Sequence, residues 1–246
     1  MKHLKTIMAA VVLLTSFSCS KVREDDKETG YVNFAVASNQ SVTDQTKSNV
    51  SDYTVLPSEN DFLINIVDAS SVRIWNGKVS EWDAATQLSV GTYTVTASYG
   101  DPSVEGFDKP FFTGSSSFTV VGAETAEVSI PVTMGNSIVK IVCTDNFKNY
   151  FSDYEFSLKR FSQEVVAFVK DETRGAFVDC MDFTIEGNFV SAVGSEYRFS
   201  KEYSGINPAT AYTVRFDMTN IGGLRLIVTF NDTVDTVELE DVELND

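Results

Sequence analysis

Val90-Gly91-Thr92-Tyr93-Thr94-Val95-Thr96-Ala97-Ser98-Tyr99-Gly100 is the stretch whose reading decides the fold. Tyr93, Val95, Ala97 and Tyr99 share one side of a two-residue repeat, and hydroxyl side chains fill the other. An extended strand points successive side chains to opposite faces, so this is a strand with one buried and one wetted face. The rhythm recurs on both sides of it. Tyr31-Phe34-Val36, Phe62-Ile64-Ile66, Val72-Ile74, Phe118-Val120 and Val128-Ile130-Val132 repeat it before Gly135-Asn136. Val139-Ile141-Cys143, Tyr154-Phe156-Leu158, Val166-Phe168, Phe183-Ile185, Tyr212-Val214-Phe216-Met218, Leu224-Leu226-Val228-Phe230 and Val237-Leu239 repeat it afterwards. No 3.6-residue stripe runs longer than two turns. About six or seven strands fall on each side of Gly135. This predicts an all-β protein of two tandem antiparallel β-sandwich domains, transthyretin- or immunoglobulin-like, over residues 30–134 and 135–246.

Turn chemistry punctuates the strands. Asn76-Gly77 predicts a hairpin between Ile74-Trp75 and Lys78-Val79, because both turn positions favour positive φ. Asn231-Asp232 separates two strands in the same way, while Asn207-Pro208 and Gly222-Gly223 introduce others. Residues 39–51, rich in Ser, Thr, Asn and Gln, read as a mobile loop.

The chain starts Met1-Lys2-His3-Leu4-Lys5, runs apolar from Ile7 through Leu14, and reaches Thr15-Ser16-Phe17-Ser18-Cys19. A basic start and a short apolar run form a secretory signal, too short to span a bilayer. The cysteine behind a small residue resembles a bacterial lipobox, although Ser16 stands where leucine is usual. The resemblance implies a signal peptide over 1–18, lipidation of Cys19 and a lipid anchor in a membrane. The alternative is an ordinary signal cut nearby, with Cys19 a free thiol. Residues 19–29, with Lys21, Arg23, Glu24, Asp25, Asp26 and Lys27, lack periodicity and read as an acidic solvated tether. A lysine followed by acids close to such a cysteine also resembles the surface-export signal of Bacteroidetes lipoproteins, which implies a place on the cell outer membrane facing the exterior.

The 246 residues carry a formal charge of −16, and removing Lys2 and Lys5 with the signal takes it to −18. A field of that sign repels phosphate backbones and excludes nucleic acid as a partner. Cys143 and Cys180 remain after lipidation. An exported protein can pair them, but Cys143 is in phase with Val139 and Ile141, where a thiol packs as a small hydrophobe.

The Val90–Gly100 strand, followed by Phe107-Asp108-Lys109-Pro110-Phe111-Phe112-Thr113-Gly114 and Phe118-Thr119-Val120, resembles the DUF4493 family of Bacteroidetes lipoproteins. Val90 stands where that family usually has proline. In this motif Gly91 allows a tight turn into the strand, Tyr93 anchors a sandwich corner, and Val95 and Ala97 face inward. By wider similarity, tandem sandwiches on a lipid anchor look like fimbrillin-type adhesins and pilus anchor subunits. The resemblance implies cell adhesion or a fimbria-related role, with surface or fimbrial proteins as partners.

His3 is the only histidine and leaves with the signal. Ser-His-Asp, Cys-His and histidine-ligand metal sites are thereby excluded from the mature chain. No catalytic residue, metal site or cofactor is expected, and the chain reads as a non-enzyme. Asp179 and Asp182, and Asp171 with Glu172, are adjacent acids of the kind a glycosidase pairs across a cleft. With 35 Asp and Glu in the chain, solvated edges and loops explain them better. Trp75 and Trp82 flank the Asn76-Gly77 segment as candidate glycan-stacking residues or as core aromatics. Asp232-Thr233-Val234 and Asp235-Thr236-Val237 resemble the Bacteroidetes O-glycosylation acceptor, marking Thr233 and Thr236 as candidate sites. The leading reading is a surface lipoprotein acting through protein contacts. The alternative is a glycan-binding accessory lipoprotein of a polysaccharide-uptake system, and a carboxylate hydrolase is the third.

Overall fold

The computed structural model describes residues 28–43, 48–219 and 225–230 in full, and the backbone of 233–237 and 240–241. The first half contains β1 (Thr29–Ser38), β2 (Leu63–Asp68), β3 (Arg73–Lys78), β4 (Leu88–Ser89), β5 (Gly91–Tyr99), β6 (Gly106–Phe107), β7 (Phe112–Val120) and β8 (Thr125–Met134). The second opens with β9 (Ser137–Cys143), the short helix α1 (Asp145–Tyr150), β10 (Phe151–Arg160), β11 (Gln163–Phe168) and β12 (Ala176–Val178). It continues with β13 (Phe183–Ser191), β14 (Glu196–Tyr203), β15 (Ala211–Thr219), β16 (Arg225–Phe230), β17 (Thr233–Val237) and β18 (Glu240–Asp241). The protein is all-β.

Seven strands form one sheet in the order β3-β2-β5-β7-β8-β1-β4. It bends between β7 and β8, which pair only at Phe112–Met134 and Thr113–Thr133. Gly114 permits the crossing, since a methyl there would lie 1.9 Å from the Pro131 carbonyl oxygen. Pro131 also lacks the N–H that a longer ladder needs. Two further sheets run β11-β10-β13-β14-β18 and β17-β16-β15-β9-β12-β6. Pairing is not antiparallel throughout, as the sequence led us to expect: β1 is parallel to β8, and β9 to β15. Each such pair is far apart in sequence, so no hairpin dictates its direction.

The apolar faces gather into two clusters. One holds Val32, Ile64, Ile66, Val95, Phe112, Ile130 and Val132 among others. The other holds Phe147, Phe156, Phe189, Phe199 and Phe216 with their neighbours. β9, β12 and β15 divide the two. Val139, Ala176, Val178 and Tyr212 face the second cluster, while Ile138, Phe177 and Ala211 face the first. Both sides of this wall are apolar at its end, so strand alternation there joins the clusters instead of exposing one face.

Polar contacts reinforce the junction. Asn136 is buried; its Oδ1 accepts from Phe111 N at 3.2 Å and its Nδ2 donates to Lys109 O at 3.0 Å. Gly106–Phe107, from the β5–β7 connection, pair with Phe177 and Ala176 and so extend the second half's sheet. Beside them, Glu105 accepts from the Arg160 guanidinium and from Asp179 N. Arg160 Nη2 donates to Asp179 O at 2.8 Å. Residues 39–51 are also pinned where they are described. Val42 and Val50 are buried, and Thr43 forms a bridge to Thr210.

Asn76-Gly77 is not a turn. Both residues lie within β3, opposite Asn65 and Ile64. Gly77 leaves room there for the Trp75 ring and a Glu81 carboxylate oxygen, which a Cβ would meet at 2.9 Å and 2.8 Å. The reversal lies upstream, where Asp68 Oδ1 accepts from Ser70 N at 2.8 Å and Val72 N at 2.9 Å. β14 was not anticipated, because Lys201 interrupts the apolar phase of Tyr197, Phe199 and Tyr203.

Phe177→Ala should cost about 3–5 kcal/mol in urea unfolding by opening a cavity in the dividing wall. Arg160→Ala should cost about 3–5 kcal/mol by stranding the Glu105 carboxylate; restoration by pairing it with Glu105→Gln checks the cause.

Candidate functional site

The aromatic residues singled out in the sequence meet at the rim of the first cluster. Trp75 faces inward opposite Ile66, and Trp82 follows a 3-10 turn over Val79–Glu81. Their rings meet edge to face, with centroids 5.2 Å apart and planes at 85°. Trp82 meets Phe34 at 5.2 Å, Phe34 meets Phe118 at 5.5 Å, and Phe118 stacks on Tyr93 at 5.5 Å. The Trp82 indole N–H donates to Val32 O at 2.9 Å. Both indoles are half-buried against the core. Perpendicular rings do not form a flat platform two indoles wide. Tyr93 donates its hydroxyl to Ser89 O at 2.8 Å and is buried, as an anchor of a strand corner requires.

A pocket of about 180 Å³ opens beside β9 and β10 in the second half. Cys143, Ile141, Phe156 and Phe168 line it, with Lys148, Tyr154 and Asp171 also contributing. Lys148 Nζ and the Tyr154 hydroxyl each donate to Asp171 Oδ1 at 2.8 Å. These two bonds hold the Asp171 carboxyl below its ordinary range. Burial, followed by the Asp171 bond, pushes the Tyr154 phenol well up. Burial pushes the Cys143 thiol up to about 12, so it stays protonated and weakly nucleophilic. Cys180 donates Sγ–H to Gly135 O at 3.4 Å, and both cysteines are free thiols.

The adjacent acids are similarly committed. Arg174 donates from Nη2 to Glu172 Oε2 at 2.8 Å and from Nε to Oε1 at 3.0 Å. That guanidinium holds the Glu172 carboxyl down to about 2. Asp182 Oδ1 accepts from Gly205 N at 3.2 Å. Among the described residues, no three His, Cys, Asp or Glu side chains converge as metal ligands. Hydrogen bonds from Lys148 and Tyr154 hold Asp171 low and those from Arg174 hold Glu172 low, while burial raises the Cys143 and Cys180 thiols and the Tyr203 phenol.

Cys19 lies outside the described residues. Thr233 and Thr236 lie in β17, opposite Phe230 and Ile227, with only their backbone described. Sequence reading missed the Glu105–Arg160 contact and the Lys148–Tyr154–Asp171 group. No motif joins these residues, and only the sheet arrangement brings them together.

Fold and side chains together define an all-β protein whose described aromatic residues are largely committed to its own packing. The family model described as domain of unknown function DUF4493 matches residues 28–246, and the chain belongs to that family. Curated proteins give no match to it. Several solved structures resemble it. A fimbrial assembly protein from Parabacteroides distasonis is 8% identical, over 85% of this chain and 98% of that one, with a TM-score of 0.44. A candidate cell adhesion protein from Bacteroides eggerthii is 11% identical, over 85% and 97%, with a TM-score of 0.44. A candidate polysaccharide-binding protein from Bacteroides thetaiotaomicron is 10% identical, over 85% and 98%, with a TM-score of 0.43. No catalytic family is indicated. No helix among the described residues is long and apolar enough to cross a membrane.

A carboxyl held low in the fold stabilises it above the unfolded pKa and loses that contribution as pH falls through the folded value. For Glu172 the window runs from 4.5 down to about 2. Acid unfolding followed by tryptophan fluorescence should therefore be shallower across that window in Glu172→Gln.

Proposed function

We propose that this chain is a non-catalytic lipoprotein of the cell outer membrane, anchored through Cys19 and facing outward, which acts through protein contacts in adhesion or fimbria-related assembly. Residues 30–134 and 135–246 serve as its two β-sandwich domains, carried on the tether of residues 19–29. The observation that supports the non-catalytic part is that the ionisable groups at the small pocket are spent on one another: Lys148 and Tyr154 both donate to Asp171 at 2.8 Å, and Arg174 holds Glu172 through two hydrogen bonds. The export-type start and Cys19 support anchorage. The glycan-binding alternative stands second because Trp75 and Trp82 are perpendicular and packed on the core. Thr233 and Thr236 remain proposed glycan acceptors on the last hairpin.

Protease shaving of intact cells tests the reading directly. The native protein should be cleaved from outside, and Cys19→Ala should be released in soluble form. Resistance of the native protein until lysis would instead assign it to the periplasm. Intact-mass measurement of the native protein should show added hexose-scale mass that Thr233→Ala/Thr236→Ala removes; an unmodified mass would dismiss the acceptor assignment.

A further inference from the structure

The charged residues of the second half are sorted by face. Register and burial place Asp153, Glu155, Glu164, Glu186, Glu196 and Glu202 on the outer side of β11-β10-β13-β14, away from the second cluster. Only Lys159 and Arg198 share those positions, and Lys159 is paired with Glu186 at 2.6 Å. This face contains a depression of about 550 Å³ to which Asp153, Glu155 and Glu196 contribute, with Lys170 and Arg198 also at its lining.

The outer side of β9-β15-β16 has the opposite character. Lys140, Arg215 and Arg225 project there, one from each strand. None forms an ion pair with a described residue. The carboxylate among the same outward positions is Asp217, which accepts from the Thr144 hydroxyl at 2.5 Å and from Met218 N at 2.8 Å; the Thr144 bond chiefly, and the charge of nearby Arg215 in smaller part, hold its carboxyl low. In a chain with 35 acidic and 19 basic residues, three cations on one face with no ion pair among the described residues are poorly explained by solubility alone.

We propose that copies of this chain associate through these two faces, the acidic face of one copy docking on the basic face of the next. The sheets bearing them lie on opposite sides of one hydrophobic cluster, so the contact is heterologous and each docked copy leaves both kinds of face free at the ends. Association of this type continues from copy to copy, as a row or a closed ring, and does not form a two-fold dimer. Four strands at about 4.8 Å spacing offer roughly 500 Å² per partner, at the low end of specific interfaces. The contact is therefore weak, reversible and steeply salt-dependent. This goes beyond anchorage and adhesion, because it requires neither Cys19 nor a foreign partner.

Sedimentation velocity of the purified full chain, over a concentration series in about 20 mM and about 500 mM salt, tests it. The wild type should form larger species at low salt and return to monomer at high salt. Arg215→Glu/Arg225→Glu and Glu196→Lys/Glu202→Lys should each be monomeric at low salt. An equimolar mixture of the two should associate again, because each reversed face then meets its complement. These positions are exposed, and unchanged thermal midpoints verify folding; Arg225→Glu alone is the milder variant, expected to weaken association about tenfold. A monomeric wild type, association unaffected by either reversal, or a mixture that stays monomeric would overturn the proposal. So would a monomeric wild type retained on a polyuronate column through Arg215 and Arg225, which would give the basic face to an anionic glycan.

Discussion

Ile138 and Val139 are neighbours in the chain and enter different hydrophobic clusters, and the rest of the architecture depends on that division. A strand at a protein surface buries alternate residues. Here β12 and the first three residues of β9 bury both sets, because apolar clusters lie on both sides of them. Phe177 enters one cluster while Ala176 and Val178 enter the other. The halves therefore share a wall, and the two-residue link at Gly135-Asn136 does not work as a swivel. Asn136 ties it to Lys109 and Phe111, and its carbonyl accepts from Ala209 N at 3.0 Å.

The ionic contacts follow from the same junction. Glu105 and Arg160 are 55 residues apart and meet because β6 is laid on the edge of β12. Arg174 lies 4.3 Å from the centre of the Phe107 ring and 3.5 Å from Asp108, adding a cation to the same seam. A charge pair closed off from water contributes little net stability but makes misplacement costly. Its effect here is on register, since β6 pairs through only two residues.

Aromatic residues decide much of the local geometry. Phe147 is held at the start of α1, where the Thr144 hydroxyl accepts from its N–H at 3.3 Å, and it packs on Phe151 and Phe189 at 4.7 and 5.2 Å. Trp75 does comparable work in the first half by occupying the space over Gly77. An Asn-Gly pair read from sequence alone signals a hairpin, and the same glycine serves equally where a ring must approach the backbone. The sequence does not distinguish the two uses, because the approaching ring belongs to the tertiary arrangement.

Most strands were legible in the residue pattern because a half-buried strand must alternate, and Tyr93-Val95-Ala97 does so without interruption. The packing of the half-buried Cys143 thiol against the core was legible for the same reason, and the corner role of Tyr93 through the motif it belongs to. β14 was hidden by one lysine in its inward phase, and the parallel pairs were hidden because strand direction leaves no mark on alternation. The sequence by itself determined the all-β class and the acidic balance, since these depend on composition and local periodicity, while the family was legible only through the resemblance of the Val90–Gly100 motif. Only the tertiary structure decided which acids meet which cations, that β6 crosses to the other half's sheet, and that the second half carries opposite charge on its two faces. Those features depend on pairings between distant strands, and a one-dimensional repeat carries no information about partners.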